Sequence, residues 1–256
     1  MFLLLLGSIV IVINPFFSKE RARFFTFCRE EPNSCPNLVY VVFSSEYFII
    51  LIYSLILSNK DSLKGRFFLT GTLGYFLYSY ASYSFVAMYN NFFLIFVALM
   101  GLSFFGFIIN VTSFNLESLK EIFSNLAHKK YLSYSTIIFG MAIGLMWLAR
   151  LLPALSTGIP DGLEHYTTLP IQALDLGIIV PATIISGILL YREKTLGYLL
   201  NPIIIIKGIT ILMAIDAMVI SLSLNGKPVS IGELVIFPLF TIIYIFNLQL
   251  ITKEIK

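Results

Sequence analysis

The sequence is poor in charged residues. Only 12% of its 256 residues are Asp, Glu, Lys or Arg, whereas soluble domains carry about 25%. Hydrophobic residues make up 58% of the chain. Because so few polar side chains cannot cover a water-soluble globule, the composition excludes an ordinary soluble domain. The net charge of +3 gives no indication of a nucleic-acid partner.

Histidine and cysteine, the residues that most often bind transition metals, are also scarce. The chain has two His and two Cys, and His128 and His165 both lie in polar stretches between apolar runs. This placement argues against haem held by two histidines and against a buried zinc or copper site. No Walker, H-E-x-x-H or G-x-S-x-G motif occurs in the sequence. We therefore expect no metal and no cofactor, and a protein that is not an enzyme is favoured.

Long apolar runs take up most of the chain. A helix needs about 20 such residues to cross the hydrocarbon core, and backbone groups in lipid must be hydrogen-bonded within their own segment. We predict an all-α, polytopic transmembrane bundle that forms a single integral membrane domain over residues 1–256. The eight predicted spans are 1–17, 38–58, 67–88, 92–112, 131–152, 169–191, 197–222 and 231–251.

The first apolar run leaves two alternatives open. Residues 1–17 have about the minimum length for a span, and they could instead form a signal peptide. No basic residue precedes the run and no A-x-A-like cleavage site follows it, which favours an uncleaved helix. The protein then has eight helices, or seven if this segment is not a span.

The distribution of Lys and Arg predicts the orientation. Loops on one side of the spans carry ten of these residues and loops on the other side carry six. Positively charged loops tend to stay in the cytoplasm. We therefore expect the first side, which includes Lys60, Lys129 and Arg192, to be cytoplasmic. With eight spans in the cell membrane, both termini are then cytoplasmic.

Two cysteines lie in the first external loop. Cys28 and Cys35 bracket a short polar segment, and the external compartment permits disulfides. A disulfide that closes this loop and a pair of unbonded thiols both stay open.

Away from the ends of the predicted spans, four charged side chains fall inside them: Glu46, Asp175, Lys207 and Asp216. A charged side chain at the centre of a spanning helix costs about 2.5–3.5 kcal/mol, so those that occur usually have a partner or a role. The rise per residue places all three acids in the external half of their spans. Lys207 and Asp216 are nine residues apart and therefore lie on opposite faces of one helix.

Neutral polar side chains accompany these charges. The third predicted span carries several tyrosines and serines, including Tyr75 and Tyr78. Gln172 precedes Asp175 by three residues, which places both on one helical face. These side chains could line a site together with the acids, or they could serve only in helix packing and at the membrane interface.

Two functional hypotheses follow from the charges. In the first, Glu46, Asp175 and Asp216 line a polar cavity that is open to the outside, and the protein is a small-molecule or ion transporter. In the second, the acids link helices through buried polar contacts, and the protein is a non-catalytic membrane subunit or assembly factor. The lipid bilayer is the one partner that the composition predicts.

A four-residue motif occurs twice. Residues 72–75 and 195–198 both read Thr-Leu-Gly-Tyr, and each follows a short basic loop on the predicted cytoplasmic side. If both copies open their helices, the chain is consistent with a parallel repeat of four plus four helices, as in some transporters. In that case Gly74 and Gly197 would superimpose. Coincidence in so biased a composition is the alternative.

The residues on which a resemblance to other proteins rests lie in two stretches, 65–91 and 169–207. The first has Arg66, Gly74, Tyr75, Tyr78 and Asn91, and the second has Asp175, Leu176, Pro181, Gly197, Tyr198 and Lys207. In these residues the chain resembles an uncharacterised family of prokaryotic multi-pass membrane proteins of unknown function. The resemblance implies a multi-helix membrane fold and no particular activity. Where that family tends to have Asp in its second helix, this chain has Glu46, which keeps the acid.

Overall fold

The computed structural model describes residues 54–56, 58, 62–86, 89, 92–123, 126, 128–160, 163, 168–224 and 229–255. Helices take up 88% of these residues, and no strand occurs among them. The prediction of an all-α fold is confirmed, and the predicted number of helices is approximately right. The predicted span 1–17 and most of the span 38–58 lie outside the described residues.

Eight helices follow one another in the described part of the chain. They are α1 (Leu63–Val86), α2 (Phe93–Thr112), α3 (Leu116–Phe123), α4 (Lys129–Leu151), α5 (Ala154–Thr157), α6 (Pro170–Tyr191), α7 (Thr195–Leu224) and α8 (Ile231–Glu254). Five stretches are long and apolar enough to cross a membrane: α2, α4 with its continuation into α5, α6, α7 and α8. They fit the prediction of a multi-pass membrane protein.

Helix α1 has the length of a span but a more polar composition than the five apolar stretches. Its 24 residues include several Tyr, Ser and Thr, and many of its side chains are buried, among them Phe67, Thr72 and Tyr80. Helix α2 differs, since large apolar side chains such as Leu94 and Phe105 are exposed. A helix that packs against other helices tolerates small and polar residues, whereas one that faces lipid does not.

The chain forms two compact units. Among the described residues, one unit comprises those up to Ser113 together with those from Ile205 onward, and the other comprises those between Phe114 and Ile204. Helix α7 therefore contributes its first turns to the second unit and its remaining turns to the first.

In the first unit, α1 and α2 form an antiparallel hairpin. An apolar cluster of buried side chains holds them together; it includes Leu73, Phe76, Tyr80 and Phe96. The rings of Tyr83 and Phe96 lie 5.4 Å apart near one end. Such aromatic contacts add to the burial of apolar surface.

In the second unit, α4 and α6 pack through small residues. A Cβ added to Gly187 would lie 2.9 Å from the carbonyl oxygen of Ser133, and one added to Gly140 would lie 3.2 Å from Cγ2 of Thr183. Such residues let helices in membranes approach closely. The short amphipathic helix α3 buries Leu119 and Phe123, and the Phe123 ring stacks on Tyr198 at 6.0 Å.

The two Thr-Leu-Gly-Tyr motifs occupy different positions in their helices. Thr195 is the first residue of α7, whereas Thr72 lies more than two turns inside α1. Gly197 packs against the backbone of Leu190, and Gly74 faces the side chain of Phe107. The expectation that both motifs open a helix is therefore wrong for the first copy. The superposition of four helices on four involves spans outside the described residues and stays a prediction.

Candidate functional site

The predicted site residues that the structure describes are divided between the two units. The second unit holds Gln172 and Asp175, and the first unit holds Tyr75, Tyr78, Lys207 and Asp216. Glu46 and the predicted disulfide between Cys28 and Cys35 lie outside the described residues. The predicted cavity needs Glu46 as one of its walls, so the cavity stays a prediction.

Asp175 makes a direct contact between two helices of the second unit. Nε1 of Trp147 on α4 donates a hydrogen bond of 2.8 Å to Oδ2 of Asp175 on α6. Trp147 lies four residues before the end of α4, and Asp175 lies in the second turn of α6. The guanidinium carbon of Arg150 is 5.9 Å from the centroid of the Trp147 ring. The predicted acid is thus part of a helix-to-helix link.

A π-helical turn shapes α6 at this contact. It covers Asp175–Ile179, and the N–H of Val180 bonds to the carbonyl oxygen of Asp175. Pro181 follows directly. Proline has no N–H for the carbonyl of Gly177, and its ring would clash with that carbonyl in a regular helix. The wider turn removes the clash, which gives the π turn a local cause in the sequence.

The π turn changes which side chains face α4. Val180 packs on Gly144 of α4. In a regular helix, the side chains one turn earlier on that face would be residues 176 and 177. Because the wider turn takes up one additional residue, Asp175 comes onto this face instead. Gln172, one turn before Asp175, is 9% exposed, whereas Ala173 is exposed.

Lys207 is buried in the first unit. Its side chain is 6% exposed, and Nζ lies 4.5 Å from the centroid of the Tyr78 ring. Gly74, one turn before Tyr78, lies beside it: a Cβ there would make ordinary contacts, 3.8 Å from Cγ of Lys207 and 3.4 Å from Cε2 of Phe107. A cation over an aromatic face is worth about 2 kcal/mol when desolvated. Helices α1, α2 and α7 therefore meet around this lysine.

Tyr75 has a different setting from Tyr78. Its side chain is 8% exposed and belongs to the apolar cluster between α1 and α2. The Tyr75 and Phe76 rings lie 5.7 Å apart. The two predicted tyrosines therefore do not share one environment: Tyr78 meets the lysine, and Tyr75 packs in the core of the hairpin.

Asp216 links α7 to α8 in the first unit. Its Oδ2 lies 2.6 Å from Oγ1 of Thr241 on α8. Its Oδ1 is buried and has no hydrogen-bond partner among the described residues. Nearby, α7 and α8 approach closely, since a Cβ added to Gly208 would lie 2.5 Å from the Tyr244 ring. In agreement with the nine-residue spacing, Lys207 contacts α1 and Asp216 contacts α8.

The partners of the two acids, Trp147 and Thr241, were not among the predicted site residues, whereas Tyr78, the partner of Lys207, was. Thr241 lies in an apolar span, and nothing in the sequence relates it to Asp216. The buried pair of Asn201 and Thr136, joined by a hydrogen bond of 3.0 Å from Nδ2 to Oγ1, was also missed. A search for neutral polar residues inside the spans would have found Asn201, because it stands before Pro202 in an apolar run.

The chemistry available to these residues is limited. Within the described ranges, no group of three or more His, Cys, Asp or Glu side chains could hold a metal ion. What the structure places inside the spans is a set of carboxyl, ammonium, hydroxyl and indole groups. Such groups can exchange protons, bind ions and donate hydrogen bonds.

Comparison with protein-family models, with curated proteins and with solved structures finds no match to this chain. The resemblance to a family of prokaryotic multi-pass membrane proteins therefore stays a prediction. What can be said of function depends on the side chains described above.

Proposed function

We propose that the protein is a transporter of small molecules or ions in the cell membrane, in which intramembrane carboxyl groups bind and release a coupling ion. Asp216 is the residue that supports this proposal. One of its oxygens meets the Thr241 hydroxyl, and the other is buried without a hydrogen-bond partner among the described residues. A carboxyl oxygen in this state can receive a proton or a cation.

The position of Asp216 adds to this argument. It lies in α7, which is one of the apolar stretches long enough to span. A carboxylate there is costly, and ionisable residues inside spans often belong to ion pathways. A role confined to packing would need only a neutral residue such as Asn or Ser, which also links helices in membranes. The acid is therefore better explained by ion exchange.

Reconstitution in liposomes tests the proposal. Charge movement would be recorded while panels of metabolites and salts are applied to the purified full chain, and we expect a current with at least one compound class. Asp216→Asn should abolish it, while Glu117→Gln, a change at an exposed residue of α3, should preserve it. A current that persists in Asp216→Asn, or no current with any class, would contradict the proposal.

The alternative is a non-catalytic membrane subunit or assembly factor, and two contacts favour it. The Trp147–Asp175 hydrogen bond and the Lys207–Tyr78 contact each join two helices of one unit. Under this alternative the charges hold helices together, and the protein acts through a partner subunit.

A double-mutant cycle tests the alternative. Trp147→Phe and Asp175→Asn should each lower the free energy of unfolding in detergent by about 1 kcal/mol, the size of an interhelical hydrogen bond in membranes. The double variant should lose less than the sum of the two single losses. Additive losses would argue against a stabilising link, and failure to recover any partner after crosslinking in native membranes would argue against a subunit.

A further inference from the structure

We propose that Asp216 carries a proton and donates it to Thr241, so that this pair of side chains is a proton-binding site. The use of this site in transport rests on the function proposed above, and the coupling ion would then be a proton. Whether Asp216 holds a proton at the α7–α8 contact can be measured without any transport assay.

The Thr241 hydroxyl has two acceptors within reach but only one hydrogen. Oγ1 of Thr241 lies 2.6 Å from Oδ2 of Asp216 and 3.1 Å from the carbonyl oxygen of Phe237, one turn earlier on α8. A hydroxyl has one hydrogen, and a carbonyl oxygen can only accept. If Thr241 donates to Phe237, as hydroxyls in helices commonly do four residues back, the shorter contact needs a hydrogen from Asp216.

The 2.6 Å distance fits either direction of donation, but the other carboxyl oxygen distinguishes the two protonation states. Oδ1 of Asp216 is buried without a hydrogen-bond partner among the described residues. An ionised carboxylate would place half of its charge on that oxygen, and burying an unpaired charge is far more costly than burying an unpaired neutral group. In the acid form Oδ1 is a neutral carbonyl oxygen.

The charged groups on both helices agree with a neutral acid. Within the described residues, no Lys or Arg forms an ion pair with Asp216. On α7, the Lys207 ammonium lies against the Tyr78 ring of α1. On α8, Glu233 lies more than two turns before Thr241 and is bound at the exposed helix start by Ser230. Tyr244, three residues after Thr241, is never positively charged and therefore cannot stabilise an ionised Asp216.

Isotope-edited infrared spectroscopy of the full chain in lipid bilayers tests the inference. The spectrum of Asp216→Asn is subtracted from that of the wild type at neutral pH, with ¹³C in the Asp carboxyls. We expect the difference to contain the C=O stretching band of a carboxylic acid. If the difference spectrum instead contains the bands of an ionised carboxylate, the inference is wrong. Asp216 is either protonated or ionised, so it must give one of these two signals.

A second variant pair keeps the test decisive if Asp216→Asn does not fold. In Thr241→Val the acid loses its acceptor, so its C=O band should move to higher frequency, while Thr241→Ser should leave it unchanged. If the C=O band of the acid has the same frequency in both variants as in the wild type, the pairing of Asp216 with Thr241 is wrong. If Asp216 proves ionised while the Asp216→Asn variant still loses its current, the transporter stands with another ion and only this inference fails.

Discussion

Trp147 on α4 and Asp175 on α6 are joined by a hydrogen bond of 2.8 Å from the indole N–H to a carboxyl oxygen. The bond depends on the π turn that begins at Asp175 and precedes Pro181. A regular helix would turn the acid off the face that Val180 presents to α4. We therefore expect Pro181 to influence a contact made six residues earlier in the chain.

Replacing this proline should break the contact. In Pro181→Ala the N–H of residue 181 returns, the regular helix becomes accessible, and Asp175 should rotate away from Trp147. Trp147 is the single tryptophan of the chain, so its indole N–H gives one NMR resonance. We expect this resonance to move toward its position in Asp175→Asn.

Pro238→Ala on α8 is the matched control, since it changes a proline inside another helix. It should leave the indole resonance in place. If Pro181→Ala also leaves the resonance in place, the π turn does not position the acid.

The close approach of α7 and α8 at Gly208 should be sensitive to one methyl group. A Cβ there would lie 2.5 Å from the Tyr244 ring, which is fully buried. Overpacking of this kind costs about 1–3 kcal/mol, so Gly208→Ala should lower the free energy of unfolding in detergent by that amount.

Gly101→Ala on α2 is the control for Gly208→Ala, because nothing lies within 4 Å of its added Cβ. It should be neutral or stabilising by up to about 1 kcal/mol, from helix propensity. Equal effects of the two substitutions would show that the α7–α8 contact is looser than described.

The two glycines of the repeated motif should respond differently. A Cβ on Gly197 would collide with the backbone of Leu189 and Leu190, which cannot move aside, whereas one on Gly74 meets Phe107 at an ordinary 3.4 Å. Gly197→Ala should therefore reduce the melting temperature and the yield of folded protein strongly, and Gly74→Ala should change both little. The reverse order would contradict these environments.

The predicted orientation can be checked by cysteine labelling. After Cys28 and Cys35 are changed to Ser, single cysteines would be placed at exposed positions on the two predicted sides. An impermeant maleimide added to intact cells should label Ser156→Cys and Ser230→Cys. It should reach Lys130→Cys and Lys194→Cys only after the membrane is opened. Labelling of the second pair in intact cells would reverse the orientation.

Much of the fold was accessible from the sequence. The apolar runs at 92–112, 169–191 and 231–251 became α2, α6 and α8 almost without change. Runs of this length are informative because the hydrocarbon core has a fixed thickness and an isolated segment must satisfy its own backbone. The third predicted span was harder to identify, because α1 carries polar side chains that pack inside the protein.

The candidate site was accessible only in part. The charged residues inside the spans could be found by inspection, because any charge in an apolar run stands out. The partners of the two acids could not, since Trp147 precedes Asp175 by 28 residues and Thr241 follows Asp216 by 25.

By itself the sequence determined that the chain is helical and apolar enough for a membrane, and which ionisable groups its spans must accommodate. Composition and run length decide these properties, and both are local. The tertiary structure alone decided that Asp175 meets an indole, that Lys207 lies over a tyrosine and that Asp216 meets a hydroxyl. Such pairings depend on the rotation of each helix about its axis and on the helix beside it. A single π turn or a glycine contact changes them without changing the hydrophobicity of the chain.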